Sequence, residues 1–319
     1  MTLCVGITTS DGLILAADSM TELHDPLTSS SKFYPNAEKI FELPNLSMAA
    51  MTYGLGAVGR QSIGNLIDEW TEKRPVFEKS GSYAVSDVAA SLAEFIFSRH
   101  RKFRENMKAD IEQRQREALS NPNVAASDLE YNDTDWTTGL IVGGYQPESY
   151  FPWLYAIEEP ARKDIPVGLT CVRNHEGDAG MDGPEPGIDY WGEAAALDRV
   201  YRGCDPSLLL DMAALMPPDA VNKLEAMLRR HRWGVLFDGM PLKDAADLAK
   251  FMLDVGCNFG RFSEGSPRVG GDAEVVVVTR TRTYWPYRKP IGAALAAVQP
   301  RVLASPANGA DTAKGTGST

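Results

Sequence analysis

Thr2-Leu3-Cys4-Val5-Gly6-Ile7-Thr8-Thr9-Ser10-Asp11-Gly12-Leu13-Ile14-Leu15-Ala16-Ala17-Asp18-Ser19, near the front of the chain, has the pattern of two strands joined by a tight turn. Leu3, Val5 and Ile7 alternate, the period-two pattern of a strand. Ser10-Asp11-Gly12 supplies the reversal, since Asp-Gly suits the backbone that a tight hairpin turn demands. Leu13 to Ala17 is apolar throughout, as expected of a buried second strand, and it ends at Asp18.

Outward from this hairpin, residues 19–36 read as a polar loop carrying Pro26, Pro35 and a serine run. Residues 39–43 restart β structure, Pro44-Asn45 turns it back, and an apolar strand over 46–52 reaches Gly54. The period then changes. Val58, Ile63, Leu66, Ile67 and Trp70 suggest a helix behind Gly54-Leu55-Gly56. Val88, Leu92, Phe95, Ile96 and Phe103 make a second helical stripe, which the charged run 99–117 extends into solvent. A loop over 120–135 precedes a strand pair, 137–144 and 153–157, around Gln146-Pro147. Residues 160–187, rich in Gly, Pro and Asp, read as an elaborated connection. Helical patterning returns over 193–201, 206–215 and 219–230, and is cleanest over 242–256. Four valines within 274–279 mark a last strand, and the tail from about 305 is too small and polar to pack. Strands first, helices between and a late strand describe one α+β domain.

Composition narrows the function. A net charge of −11 argues against nucleic acid as a partner, because phosphate contacts need clustered Lys and Arg. No apolar run approaches the roughly 18 residues of a membrane span. No basic segment followed by an apolar one marks a secretory signal. A cytoplasmic protein without membrane contact is expected. The four cysteines are scattered with no C-x-x-C pair, and the four histidines form no H-E-x-x-H, so neither disulfide framework, metal nor other cofactor is expected. Cys4 and Cys257 read as small core residues.

Thr2 carries the chemistry. Methionine is usually removed when a small residue follows, and its loss would give Thr2 a hydroxyl and a free α-amine. Such an amine has an ordinary pKa of about 7.7–8.0, so a fair fraction is neutral near pH 7 and accepts protons. One residue then supplies both nucleophile and base.

The stretch 2–19 resembles the start of mature proteasome β-subunits, in which a catalytic threonine opens the first strand and a D-G turn leads to a strand ending in A-A-D-S. The spacing from Thr2 to Asp18 is that family's. Lys39, in Glu38-Lys39-Ile40-Phe41, falls where the family has its active-site lysine, and the strand ending at Gly54 resembles the one whose glycine donates an oxyanion-hole N–H. The HslV-type and Anbu-type bacterial homologues also begin Met-Thr, and of these the Anbu branch fits best. The resemblance is strong over about the first 70 residues and weaker at 139–155, 190–201 and 240–279.

The resemblance implies an Ntn-hydrolase fold, a four-layer αββα sandwich with two sheets between helix layers. It implies a domain over 2–285 with insertions at about 101–135 and 160–187, and a C-terminal extension over 286–319. It also implies a threonine peptidase with catalytic Thr2, Asp18, Lys39 and Gly54. In those roles Lys39 favours the attacking alkoxide, Asp18 orients Lys39, and the Gly54 N–H meets the oxyanion. Partners would be identical subunits in a ring or related assembly, a polypeptide substrate and an ATP-dependent unfoldase. Where the family supports the threonine amine with a Ser and an Asp, this chain has Glu193 after Gly192, and Ser266 ahead of Gly270-Gly271 with no matching aspartate. Ser19, Glu193 and Ser266 are the candidates for that supporting shell, with Glu264 a further source of a carboxylate. The alternatives are an inactive assembly subunit of the same fold, a small-molecule Ntn amidohydrolase, and a Cys4 nucleophile, which would break the spacing to Asp18.

Overall fold

β1 (Leu3–Thr8) and β2 (Leu13–Ala17) pair antiparallel, with Cys4 opposite Ala17 and Thr8 opposite Leu13. The Thr9 hydroxyl accepts from the N–H groups of Asp11 and Gly12, which closes the turn. Every residue of both strands is buried. That explains the continuous apolar run in β2: a strand covered on both faces has no polar side to show.

The computed structural model describes residues 2–25, 30–74, 83–121, 136–159, 170–171, 185–265 and 267–289. These belong to one compact unit, Met1–Lys289. The second unit, Pro290–Thr319, lies outside the described residues, as do Met1, Ser266 and most of the two expected insertions.

After β2 come β3 (Thr21–Asp25), β4 (Ser30–Tyr34), β5 (Ile40–Leu43) and β6 (Met48–Tyr53). Two short strands, β7 (Ala57–Val58) and β8 (Gln61–Ser62), lead to α1 (Ile63–Lys73) and α2 (Val85–Ser120). β9 (Thr138–Gly144), β10 (Trp153–Glu159), β11 (Thr170–Cys171) and β12 (Gly187–Gly192) follow. α3 (Ala195–Leu197) runs on as a π-turn over Asp198–Arg202. The chain closes with α4 (Pro206–Leu215), α5 (Pro218–His231), α6 (Leu242–Phe262), β13 (Glu274–Val278) and β14 (Thr283–Tyr287).

The strands form two five-stranded antiparallel sheets, ordered β12-β1-β2-β13-β14 and β11-β10-β9-β6-β5. Alternation sorts each strand's residues between two cores. Leu3, Val5 and Ile7 pack with Leu197 of α3 and with Ala245, Ala249 and Met252 of α6. Their neighbours Cys4, Leu13 and Leu15 pack with Ala49, Met51 and Ile141 of the other sheet. That sheet's remaining face, with Met48, Ala50 and Val142, packs on Leu66 and Trp70 of α1 and Val88 and Leu92 of α2. Each fully buried Leu, Val or Ile contributes about 1.5–3 kcal/mol.

Three expectations change. The polar stretch 19–36 holds the β3–β4 hairpin, with Thr21 opposite Tyr34. It lacks apolar alternation because both strands lie outside the three apolar cores. Val58 belongs to β7, and α1 begins only at Ile63, where the Ser62 hydroxyl caps the helix by accepting from the Asn65 N–H at 3.2 Å. β14 escaped notice because it carries Pro286, tolerated there since the strand lies at the sheet edge.

Candidate active site

Asp18 sits where β2 leaves its sheet, and it is 1% exposed. A carboxylate in such a place needs partners for all its lone pairs. Its Oδ1 accepts from the Leu3 N–H at 2.9 Å and from Lys39 Nζ at 2.7 Å. Its Oδ2 accepts from the Met20 N–H at 3.2 Å and the Gly270 N–H at 3.0 Å. The return bond from the Asp18 N–H to the Leu3 carbonyl, 3.2 Å, locks the same pair of residues.

Lys39 enters from the start of β5. The Thr52 N–H donates to its carbonyl at 3.0 Å, which ties its backbone to β6, and its side chain is 7% exposed. Because one Asp18 oxygen serves both Lys39 Nζ and the Leu3 N–H, the ammonium lies within a few ångström of the Thr2–Leu3 peptide.

Thr2 is itself buried. Its carbonyl accepts from the Glu193 N–H at 2.9 Å, just beyond the pairing of Leu3 with Gly192. Gly192 has φ +84°, and a Cβ there would lie 1.9 Å from the Thr2 oxygen, so only glycine lets β12 close over the front of β1. On the helix side Gly256 of α6 gives room to the Leu3 side chain, for a Cβ there would lie 2.2 Å from Leu3 Cδ2.

Thr2, Asp18 and Lys39 therefore converge at one end of the β1–β2 sheet. Gly54 stands apart from their hydrogen bonds. It follows β6 at φ +88°, with its Cα packed so closely on Thr137 that a Cβ would fall 2.1 Å from that carbonyl. Ser19 is fully buried beside Asp18: its N–H donates to the Gly270 carbonyl at 3.0 Å and its hydroxyl to the Asp272 carbonyl. Glu193 meets Thr2 through its backbone, while its carboxylate lies 3.9 Å from Arg268. Ser266 lies outside the described residues. Glu193, Glu264 and Arg268 line a cleft of about 540 Å³ on the α6 side, to which none of Thr2, Asp18, Lys39 or Gly54 contributes.

With Thr2 and Leu3 in place, Cys4 is not available as a nucleophile. It is fully buried between the sheets, and its thiol donates to the Thr52 carbonyl at 3.5 Å. Burial pushes that thiol far above its ordinary range, against the smaller lowering by Lys39, and the nearby Asp18 raises it further. A thiol held protonated does not attack. Cys257 on α6 is likewise pushed up to about 12, chiefly by burial and then by Asp18.

The sequence reading missed two features. Gly270 and Met20 meet Asp18 through backbone N–H groups alone, which no side-chain pattern announces. Glu274 and Lys289 form a buried ion pair at 3.0 Å, with Glu274 opposite Ala17. A Glu directly before four valines was the available signal. Among the described residues no group of three or more His, Cys, Asp or Glu side chains is arranged to hold a metal ion, and no helix is long and apolar enough to cross a membrane.

No protein-family model matches this chain. No curated protein matches it. Among solved structures it is similar to Anbu (ancestral beta-subunit) from Yersinia bercovieri, at 15% sequence identity and a TM-score of 0.46, over 93% of this chain and 95% of that chain.

Proposed function

We propose that this chain is a threonine-type peptidase subunit of a self-compartmentalising, proteasome-like assembly, with Thr2 exposed by loss of Met1. The observation that carries the reading is the single Asp18 oxygen shared by the Leu3 N–H and Lys39 Nζ, which brings a buried positive charge to the Thr2–Leu3 peptide. A cation beside the Thr2 hydroxyl favours the alkoxide. The neutral α-amine of Thr2 takes the hydroxyl proton as the oxygen attacks the carbonyl carbon of the scissile amide. The tetrahedral oxyanion is met by the Gly54 N–H, which swings no side chain into the path. The C–N bond then breaks, the proton passes to the leaving amine, and a threonyl ester remains. Water, deprotonated by the same amine, hydrolyses the ester and frees Thr2.

In this reading the two sheets and their helices are the four-layer αββα sandwich of the Ntn-hydrolases. The Glu193 N–H and the buried Ser19 brace the site through the backbone, and Ser266 remains the further candidate for that supporting shell. Identical subunits build the ring or related cytoplasmic assembly, polypeptides are the substrate, and an ATP-dependent unfoldase feeds it.

The test is pre-steady-state cleavage of a peptide amide bearing a fluorescent amine. Acyl transfer through an ester predicts a burst of amine of at most one equivalent per active site, followed by slower turnover. Absence of amide cleavage across a diverse peptide set would leave a non-catalytic assembly subunit as the better account.

A further inference from the structure

β13 reads Glu274-Val275-Val276-Val277-Val278 and is buried end to end, Glu274 included. An ionised carboxylate there is costly unless it is paired and hydrogen-bonded. Its partner is Lys289, also buried, with Nζ 3.0 Å from Oε2. The same ammonium donates to the carbonyl of Ala37. The Ala37 N–H in turn donates to the Ser19 carbonyl at 2.9 Å. Glu274 lies opposite Ala17 in the register of β13 on β2, one residue from Asp18.

The pair thus joins two stretches of chain. Through β13 it holds the exit of β2, which bears Asp18. Through Ala37 it holds the backbone two residues ahead of Lys39. Lys39 has four rotatable side-chain bonds and Asp18 as its carboxylate partner, so its placement beside Thr2 depends on where its backbone is fixed. Two backbone bonds do the fixing: Ala37 to Ser19 on one side, and Thr52 to Lys39 on the other.

We propose that Glu274 and Lys289 are positioning residues that clamp the 37–39 segment against Asp18 and so set the ammonium of Lys39 at Thr2. The proposal rests on the reading of Thr2 as nucleophile. Neither residue is among the partners of Thr2, so neither is assigned a chemical step.

The test compares E274Q, K289R and E274Q/K289M with the wild type in the full chain, reading kcat, KM, thermal stability and amide hydrogen exchange. A misplaced Lys39 lowers kcat of E274Q by about 10²-fold with KM little changed, since small displacements of a reacting group cost that much. The amides of Ala37 and Thr52 lose protection in the same variant. K289R, which keeps a cation and a donor, retains most of kcat. E274Q/K289M removes both charges and recovers stability, yet kcat stays low because the tether to Ala37 is gone. A merely structural pair behaves otherwise: kcat would recover together with stability in the double variant, and that result overturns the proposal. So does wild-type kcat and unchanged exchange in E274Q. A wild type that cleaves no peptide, while exchange at Ala37 and Thr52 still rises in E274Q, sinks the reading of Thr2 and with it the catalytic purpose of the clamp.

Discussion

Thr2→Ala lowers kcat/KM for peptide amides by about 10⁴-fold or more, the scale of losing a nucleophile outright. Thr2→Ser keeps a hydroxyl and an α-amine at the same place and retains measurable turnover. The contrast isolates the hydroxyl, because both replacements are smaller than threonine and disturb the packing of a 4%-exposed residue in the same sense. The Cys4 thiol is committed to the Thr52 carbonyl and held protonated by burial. Steady-state rates with a fluorogenic peptide, alongside thermal denaturation of each variant, check the prediction. Undiminished turnover in Thr2→Ala would place the nucleophile elsewhere.

The second large effect is on Asp18. Its carboxylate accepts three backbone N–H groups and the Lys39 ammonium from a fully buried position. Asp18→Ala strands the ammonium and three donors at once. Breaking a buried pair by removing one partner costs about 3–5 kcal/mol. For a unit of this size that lowers Tm by roughly 5–8 °C. Activity falls further than stability, because Lys39 loses the group that aims it at Thr2. Asp18→Ala/Lys39→Met separates the two effects. With both charges gone, the part of the loss owed to the stranded ammonium returns, while the three unpaired N–H groups keep the double variant less stable than the wild type and hydrolysis stays absent. Thermal melts and peptide turnover read the two quantities independently.

Much of the arrangement was legible because the deciding residues are local. Alternation in 3–7, an Asp-Gly turn and an apolar run to Asp18 specify a hairpin, and β1 and β2 occupy those positions. The helical faces over 63–70, 88–103 and 242–256 stood out because their apolar stripes face packed sheets. What escaped depends on partners far along the chain. The β3–β4 hairpin has no apolar code, since none of its described side chains belongs to the main cores. β12 lines the front of β1 through the glycine at 192, whose positive φ matters only once Thr2 is beneath it. At the site, sequence order brings Asp18 and Lys39 to notice but is silent on the backbone donors of Met20 and Gly270. Glu193 illustrates the limit best. Its residue type suggested a carboxylate for the Thr2 amine, whereas its N–H meets the Thr2 carbonyl and its carboxylate lies toward Arg268.

In the proposed function Thr2 is a free N-terminal nucleophile. Intact-mass measurement of the purified native protein, before and after treatment with a peptide epoxyketone, tests it most directly. That reagent needs the hydroxyl and the α-amine of one residue to form its ring adduct. The expected result is a chain lighter by one methionine that gains one inhibitor per subunit, with the adduct mapped to Thr2 and absent from Thr2→Ala. A chain that retains Met1 and takes no adduct would contradict it, because an acylated Thr2 nitrogen cannot serve as the base.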